Sequence, residues 1–298
     1  MKVIVSGSSG LIGRFLVERL EADGFDVARL VRRPPADPSE IAWNPVAGTI
    51  DAVGLEGADA VFHLAGAGIG DRRWTQSYKQ EILDSRVLGT SLLASTLAGL
   101  ERKPAVLVSA SAIGWYGDRG DEILDETEPR GDGFLADVTA AWEAAADPAA
   151  AAGIRVVHPR TGIVLSKDGG ALQRLLLPFK LGAGGRTGSG SQWWSWITRS
   201  DEVRALFFLA FSSEMEGPVN LTAPNPVTNR EFVAALGNVL HRPAKLPTPS
   251  FALKALLGSE LAEALLFQSQ RVIPARLTED GFSFASPSLA GALETLVG

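Results

Sequence analysis

Lys2-Val3-Ile4-Val5-Ser6 runs directly into Gly7-Ser8-Ser9-Gly10-Leu11-Ile12-Gly13, and the reading of this stretch decides the fold. The β-branched run Val3 to Val5 suits a strand buried on both faces. A helix is expected next, because Phe15, Leu16, Arg19, Leu20 and Asp23 stand on a helical repeat with apolar residues on one side, and Gly24 supplies a stop. Asp26 to Val31 then gives a second strand. Between strand and helix, Gly7 permits a tight turn, Gly10 lets the backbone approach a pyrophosphate, and Gly13 lets the helix pack closely on the sheet. The helix N-terminus then faces the anion. The whole loop, Gly7, Ser8, Ser9, Gly10, Leu11, Ile12 and Gly13, is therefore read as cofactor-binding. Its spacing, G-x-x-G-x-x-G, differs from the G-x-G-x-x-G form, so the order of strand, turn and helix carries the reading against a merely structural turn.

The end of the second strand indicates which cofactor. An NAD site commonly places Asp or Glu about 20 residues on, whereas an adenosine 2′-phosphate needs cations. Here stand Arg32 and Arg33, followed by Pro34-Pro35. A guanidinium meets a phosphate with paired charge-assisted hydrogen bonds, and an acid would repel it. The expected cofactor is NADP(H); the bland alternative is two solvated arginines at a strand exit.

Composition bounds the rest. Hydrophobic residues make up 46% of the 298, so the core is ample without metal or disulfide. With no cysteine, disulfides and thiolate catalysis are both excluded. The three histidines, His63, His158 and His241, match no metal-ligand spacing, and no metal site is expected. A net charge of −6 makes nucleic acid a poor default partner. No G-x-S-x-G elbow or P-loop occurs. The start goes straight into a strand without a cationic leader, and no uncharged run is long enough to span a bilayer, so the chain reads as soluble, unexported and cytoplasmic.

Along the chain, Asp59 to Leu64 is an apolar strand ending in Ala65-Gly66-Ala67-Gly68, small residues that let a ligand lie against the backbone. His63 within it is read as a hydrogen-bonded core residue. Trp74 to Leu100 is a long helical segment carrying Glu81 and Arg86. Arg86 could reach a phosphate and Glu81 orient it, although periodicity alone favours a solvated face. Ala105 to Ser109 is another buried strand, opening into Ala110-Ser111-Ala112-Ile113-Gly114-Trp115-Tyr116. In a doubly wound sheet, ligands bind outside the carboxyl ends of the strands, which places Ser111 and Tyr116 for chemistry. Ser109 is counted with the cofactor set; closure of a local turn is the alternative for Ser109 and for Ser111 alike.

Asp121 to Asp132 reads as a solvent-facing loop, Phe134 to Ala152 as an alanine-rich helix, and Ile154 to His158 as the next strand. A second lobe is expected to begin near Ser166. Its flexible loop Gly184 to Gln192 runs into Trp193-Trp194-Ser195-Trp196. These tryptophans either stack on a base or sugar or fill the seam between lobes; Arg186, Gln192, Trp193 and Trp196 are the substrate-binding candidates. Thr228-Asn229-Arg230-Glu231 has the capping-box pattern of a helix start. Pro243, Pro247 and Pro249 mark a linker before a helix near Phe251 to Phe267, and Ser286-Pro287 starts the last helix.

With these residues in hand, the chain resembles the extended short-chain dehydrogenase/reductase superfamily of nucleotide-sugar epimerases and dehydratases. It is most similar to the epimerase-like family that carries a C-terminal domain of unknown function. The likeness is nearly full-length. It rests on Gly7 to Gly13, His63-Leu64-Ala65-Gly66, Gly188-Ser189-Gly190 with Trp196-Ile197 and Asp201, and Gln270-Arg271-Val272-Ile273-Pro274 with Gly281-Phe282. The resemblance implies an α/β fold: a Rossmann-type doubly wound parallel sheet over residues 1–165 and a smaller C-terminal α/β substrate lobe over 166–298. Part of 196–222 is a candidate to join the sheet. It implies that Arg32 holds the 2′-phosphate, that Leu64 and Ala65 line the adenosine side with Gly66 beside them, that Glu81 and Arg86 face the cofactor, and that Val164 borders the nicotinamide end. It further implies a small-molecule substrate of the nucleotide-sugar kind, and a monomer or a homodimer paired through the two long helical segments.

The superfamily's chemistry uses a Tyr-x-x-x-Lys pair, whose lysine lowers the tyrosine pKa for proton exchange with substrate. The helix that should carry it reads Phe134-Leu135-Ala136-Asp137-Val138-Thr139-Ala140-Ala141-Trp142-Glu143, with neither residue. Two functions of different classes follow. One is an NADP-dependent oxidoreductase or epimerase whose acid/base is Tyr116 or Ser111, helped by a carboxylate such as Asp137. The other is an NADPH-binding regulatory or scaffold protein without turnover.

Overall fold

The β-branched strands of the first half assemble side by side in the computed structural model, which describes residues 1–244 and 247–298. Lys245 and Leu246, inside the proline-marked linker, lie outside the described residues. The main strands are β1 (Lys2–Ser6), β2 (Asp26–Val31), β3 (Glu40–Asn44), β4 (Ala60–His63), β5 (Val106–Ser109), β6 (Arg155–Thr161) and β7 (Gly217–Leu221). They lie in the order β7-β6-β5-β4-β1-β2-β3, and all these pairings are parallel. Order reverses at β1, where ligands of doubly wound sheets bind. The chain is thus an α/β protein with a Rossmann-type doubly wound sheet.

Both faces of the sheet are covered, which is why its strands are apolar without alternation. Val3, Val5, Phe62 and Val108 face α1 (Gly13–Ala22), which contributes Leu16 and Leu20. On the other face Ile4, Val61 and Leu107 meet Leu93, Ala94 and Leu97 of α2 (Gln76–Ala98). The alanine-rich segment is two helices, α3 (Phe134–Ala144) and the short Asp147–Ala151, because Pro148 opens the second.

Beyond the sheet, α4 (Gly170–Lys180), α5 (Arg199–Phe211) and α6 (Asn229–Val239) follow. Helix α5 returns to the sheet, burying Val203, Leu206 and Leu209 against the α1 side, and β7 extends the sheet beside β6. Helix α6 opens with the full capping box between Thr228 and Glu231. A separate core gathers Leu172, Phe179, Trp194, Trp196, Phe232, Leu289 and Leu293, the last two from α8 (Leu289–Val297).

The single helix expected near Phe251 to Phe267 is interrupted. Helix α7 (Ser250–Leu257) stops at Gly258, whose φ of 93° is left-handed, and a short helix and a π turn continue to Phe267. This C-terminal segment is tied to the first half. Arg73 donates to the carbonyls of Ala255 and Leu256 at the end of α7, Lys79 pairs with Glu260, and Arg174 of α4 reaches the Gly70 carbonyl and Asp71. Further on, Gln270 holds the carbonyls of Ile113 and Gly117, Ser195 bonds to Gln270 and Val272, and Arg271–Val272 pairs with Ile123–Leu124.

Candidate cofactor and active site

A cleft of about 1360 Å³ opens at the carboxyl ends of β1, β2 and β4. Gly7, Ser8, Ser9 and Gly10 form its floor, Arg32 and Arg33 stand at the β2 exit, Leu64, Ala65 and Gly66 line the β4 exit, and Glu81 faces it from α2. The glycine loop is built for close approach. Gly7 has φ of 68°, and a Cβ there would lie 2.7 Å from the Leu64 carbonyl carbon. Gly13 leaves no room for a side chain against the Gly7 carbonyl, so α1 starts tight against the loop. Among the described residues no side chain caps α1 at Ile12, and although the Arg14 amide bonds to the Gly10 carbonyl at 3.2 Å, the helix start is open to an anion. Leu11 and Val164 both border Gly170, where a Cβ would meet Leu11 Cδ2 at 3.1 Å and the Val164 carbonyl oxygen at 3.4 Å.

The two arginines differ in commitment. Arg33 is bound through both guanidinium nitrogens to Glu40, at 2.7 and 2.5 Å. Arg32 is exposed and has no hydrogen bond or ion pair among the described residues. A free guanidinium, an uncapped helix start and a loop with no room for side chains fit a dinucleotide carrying an extra phosphate.

Arg86 lies half-buried, donating to the carbonyls of Ala67 and Ile82, with its guanidinium 4.9 Å from the Trp142 ring centre. Burial pulls its pKa down to about 10. The expectation that Glu81 orients Arg86 is corrected: Glu81 bonds to Arg72 on the exposed helix face, and backbone carbonyls hold Arg86. Tyr78 donates to the Gly68 carbonyl and fixes the loop lining the cleft. His63 is a core residue, bonded to Ser6 at 2.7 Å and Thr90 at 2.9 Å, and burial lowers its pKa to about 4.

At the next strand end, His63 pairs with Ser109 and the Ala110 amide donates to the His63 carbonyl at 2.9 Å, after which the chain turns to Ser111. Ser111 also pairs with Arg160 of β6 and Ala112 with Thr161. Ser111 Oγ donates to Glu143 Oε1 at 2.6 Å. Arg160 holds the same carboxylate in a fork, Nε to Oε1 at 2.9 Å and a terminal nitrogen to Oε2 at 3.0 Å. Its other terminal nitrogen donates to the Tyr116 hydroxyl at 3.2 Å, and its face covers the Trp115 ring at 4.0 Å. The Tyr116 hydroxyl in turn donates to Asn220 Oδ1 at 2.7 Å.

Several expected roles are corrected by burial. Tyr116 has no exposed surface, and burial pushes its phenol up to about 12. Asp137 points to solvent, paired with Arg130, because Ala136, Val138 and Thr139 take the inner face of α3. Ser109 is buried within β5 with its hydroxyl unpartnered, neither in the cleft nor closing a turn. Trp196 is wholly buried, with its indole nitrogen on the Asn225 carbonyl, and Gln192 spends its amide on Thr187 and Leu266. Arg186 folds back on the carbonyls of Gly188 and Ser189. Trp193, like Arg186, is half-buried; its ring lies under Arg271 at 4.2 Å and its indole nitrogen donates to Asp121.

Glu143 and Arg160 escaped the sequence reading. Their signal was two opposite charges, each alone in an apolar run: Glu143 among alanines, and Arg160 after Val156-Val157-His158-Pro159.

The NAD dependent epimerase/dehydratase family profile matches residues 3–221, and the domain of unknown function DUF1731 matches residues 248–296. The chain belongs to the NAD-dependent epimerase/dehydratase family. Among relatives of this family member, "Epimerase family protein Mb2239" of Mycobacterium bovis is 45% identical, covering 98% of this chain and 96% of that one. The crystal structure of human epimerase family protein SDR39U1 with NADPH superposes with a TM-score of 0.90 at 35% identity, over 99% of each chain. A structure described as the nucleoside-diphosphate sugar epimerase from Corynebacterium glutamicum superposes with a TM-score of 0.81 at 36% identity, over all of this epimerase-family chain and 58% of the other.

Proposed function

We propose that this chain binds NADP(H) in the cleft and interconverts a hydroxyl and a carbonyl on a small substrate of the nucleotide-sugar kind. The observation that carries the cofactor reading is the free Arg32 at the β2 exit, beside an Arg33 already spent on Glu40. In this reading Gly7 to Gly13 receive the pyrophosphate, Arg32 the 2′-phosphate, Leu64 to Gly66 the adenosine side, and Leu11 and Val164 the nicotinamide end. Arg86 shapes the loop that lines the cleft. Bound NADP(H) would supply or accept the hydride. Ser111 is the substrate's hydrogen-bond partner in this reading, because it lies just beyond the carboxyl end of β5, the edge of the sheet at which the cleft opens. The human relative crystallised with NADPH and the corynebacterial sugar epimerase support the cofactor and substrate classes.

A non-catalytic NADPH-binding role is the second reading, favoured by the internal bonding of Tyr116, Gln192, Trp196 and Arg186. Calorimetry on cofactor-free protein tests the cofactor. Arg32→Ala should weaken NADPH by roughly ten- to a hundredfold, as expected for one charge-assisted contact, and leave NADH nearly unchanged. Equal loss for both removes Arg32 from the 2′-phosphate. Nicotinamide oxidation across a sugar-nucleotide panel then separates enzyme from scaffold.

A further inference from the structure

We infer that Glu143, acting through Ser111, is the proton acceptor that stands in for the missing Tyr-x-x-x-Lys pair; this rests on the hydride-transfer reading just given. Helix α3 is where that pair is expected, and it presents one inward carboxylate instead. The arrangement is more than a structural ion pair. Arg160 is used up by Glu143, Tyr116 and Trp115, so it fixes the carboxylate and offers nothing to a ligand. Glu143 Oε1 is left with a 2.6 Å bond to the Ser111 hydroxyl, just beyond the carboxyl end of β5, the edge of the sheet at which the cofactor cleft opens. Ser111 is 4% exposed, and the Glu143 side chain keeps 11% of its surface open, enough for a proton to leave to solvent.

In the oxidation direction, the substrate O–H bond breaks and its proton passes to Ser111 Oγ while the serine's own proton passes to Glu143. The substrate C–H electron pair leaves with its hydrogen as hydride to NADP⁺, giving a carbonyl, NADPH and one proton on the carboxylate. Reduction draws the proton back along the same path. Glu143 is thus a positioning and relay residue, and Ser111 the group that touches substrate. The charged and titratable groups around Glu143 are Arg160 and His158 of β6 and the Tyr116 phenol.

Two readouts test this. In cofactor-free protein carrying labelled glutamate, the Glu143 carboxylate band is identified by its loss in Glu143→Gln and titrated by infrared difference spectroscopy. Ser111→Ala should move its midpoint; an unmoved midpoint means the groups are uncoupled and overturns the relay. With NADPH and cyclohexanone as carbonyl probe, Ser111→Ala and Glu143→Gln should each lower kcat by roughly a hundredfold or more. The double variant should be no worse than either, Glu143→Asp should partly rescue, and Glu143→Gln should lose one limb of the pH–rate profile. Ser111→Ala leaves the Arg160 pair intact, so it remains informative if Glu143→Gln folds poorly. Retained kcat and an unchanged profile overturn the Glu143 assignment alone. A parent protein that binds NADPH and reduces no carbonyl overturns the hydride-transfer reading and the relay with it.

Discussion

The Tyr116 hydroxyl donates to Asn220, accepts from Arg160, and carries a phenol that burial pushes up to about 12. A group so placed stays protonated and organises its neighbours: the Asn220 side-chain amide donates to the Ile273 carbonyl, and the Asn220 backbone N–H donates to Glu126 Oε1. Tyr116→Phe should therefore cost about 1–3 kcal/mol of stability, the price of leaving buried partners unsatisfied, with kcat little changed. Urea unfolding alongside turnover checks it; a large fall in kcat at unchanged stability would return Tyr116 to the chemistry. The residue scale also separates what was legible. The tightness at Gly7 could be read because backbone space is a local demand, and Arg32 stood out as a cation at a strand exit. Ser111 could be placed because β5 ends beside it. Its partner Glu143 could not, since the contact exists only once α3 packs over the crossing of β5 and β6. Trp196 was misjudged because three tryptophans in a row of four look alike in sequence, while strand alternation and the second core decide which are swallowed.

Among the elements, α5 holds the least expected charge. Its Glu202 is buried, with one oxygen bonded to Thr161 at 2.7 Å and the other unpartnered. Burial pushes its pKa up to about 8 from an ordinary 4.5. The unfolded chain gives up this proton near 4.5 and the folded chain near 8, so the folded state binds more protons between them. Stability should fall as pH rises through that window and level off above it. Glu202→Gln should flatten this slope and gain on the order of a few kcal/mol over the parent at the alkaline end. Urea midpoints across the pH range measure it, and an unchanged slope refutes the assignment. Element type was read well where one signal dominated, as with the Thr228–Glu231 capping box. Boundaries failed at Pro148 and Gly258, where a single residue breaks an otherwise helical run.

At the scale of the whole molecule, the C-terminal segment is part of the fold and not an appendage. Gln270 and Ser269 hold the loop that follows Ser111, Val272 pairs beside Leu124, and Phe282 packs into the sheet's own core. A chain ending before residue 248 should lose cooperative unfolding and bind a hydrophobic dye, whereas the full chain should unfold in one transition. Calorimetry and dye fluorescence distinguish the two; a cooperative truncated chain would show that the segment is dispensable. These long-range ties are invisible in sequence because the hydrogen bonds of Ser269 and Gln270 and the pairing of Val272 join residues more than a hundred positions apart in the chain.

The loop that lines the cofactor cleft also carries Arg73, whose guanidinium holds the last carbonyls of α7. The two ends of that loop share one free energy. If the cofactor orders this loop, it lowers the frayed population of α7, and by linkage a ligand that settles on the ordered α7 raises cofactor affinity by that same factor.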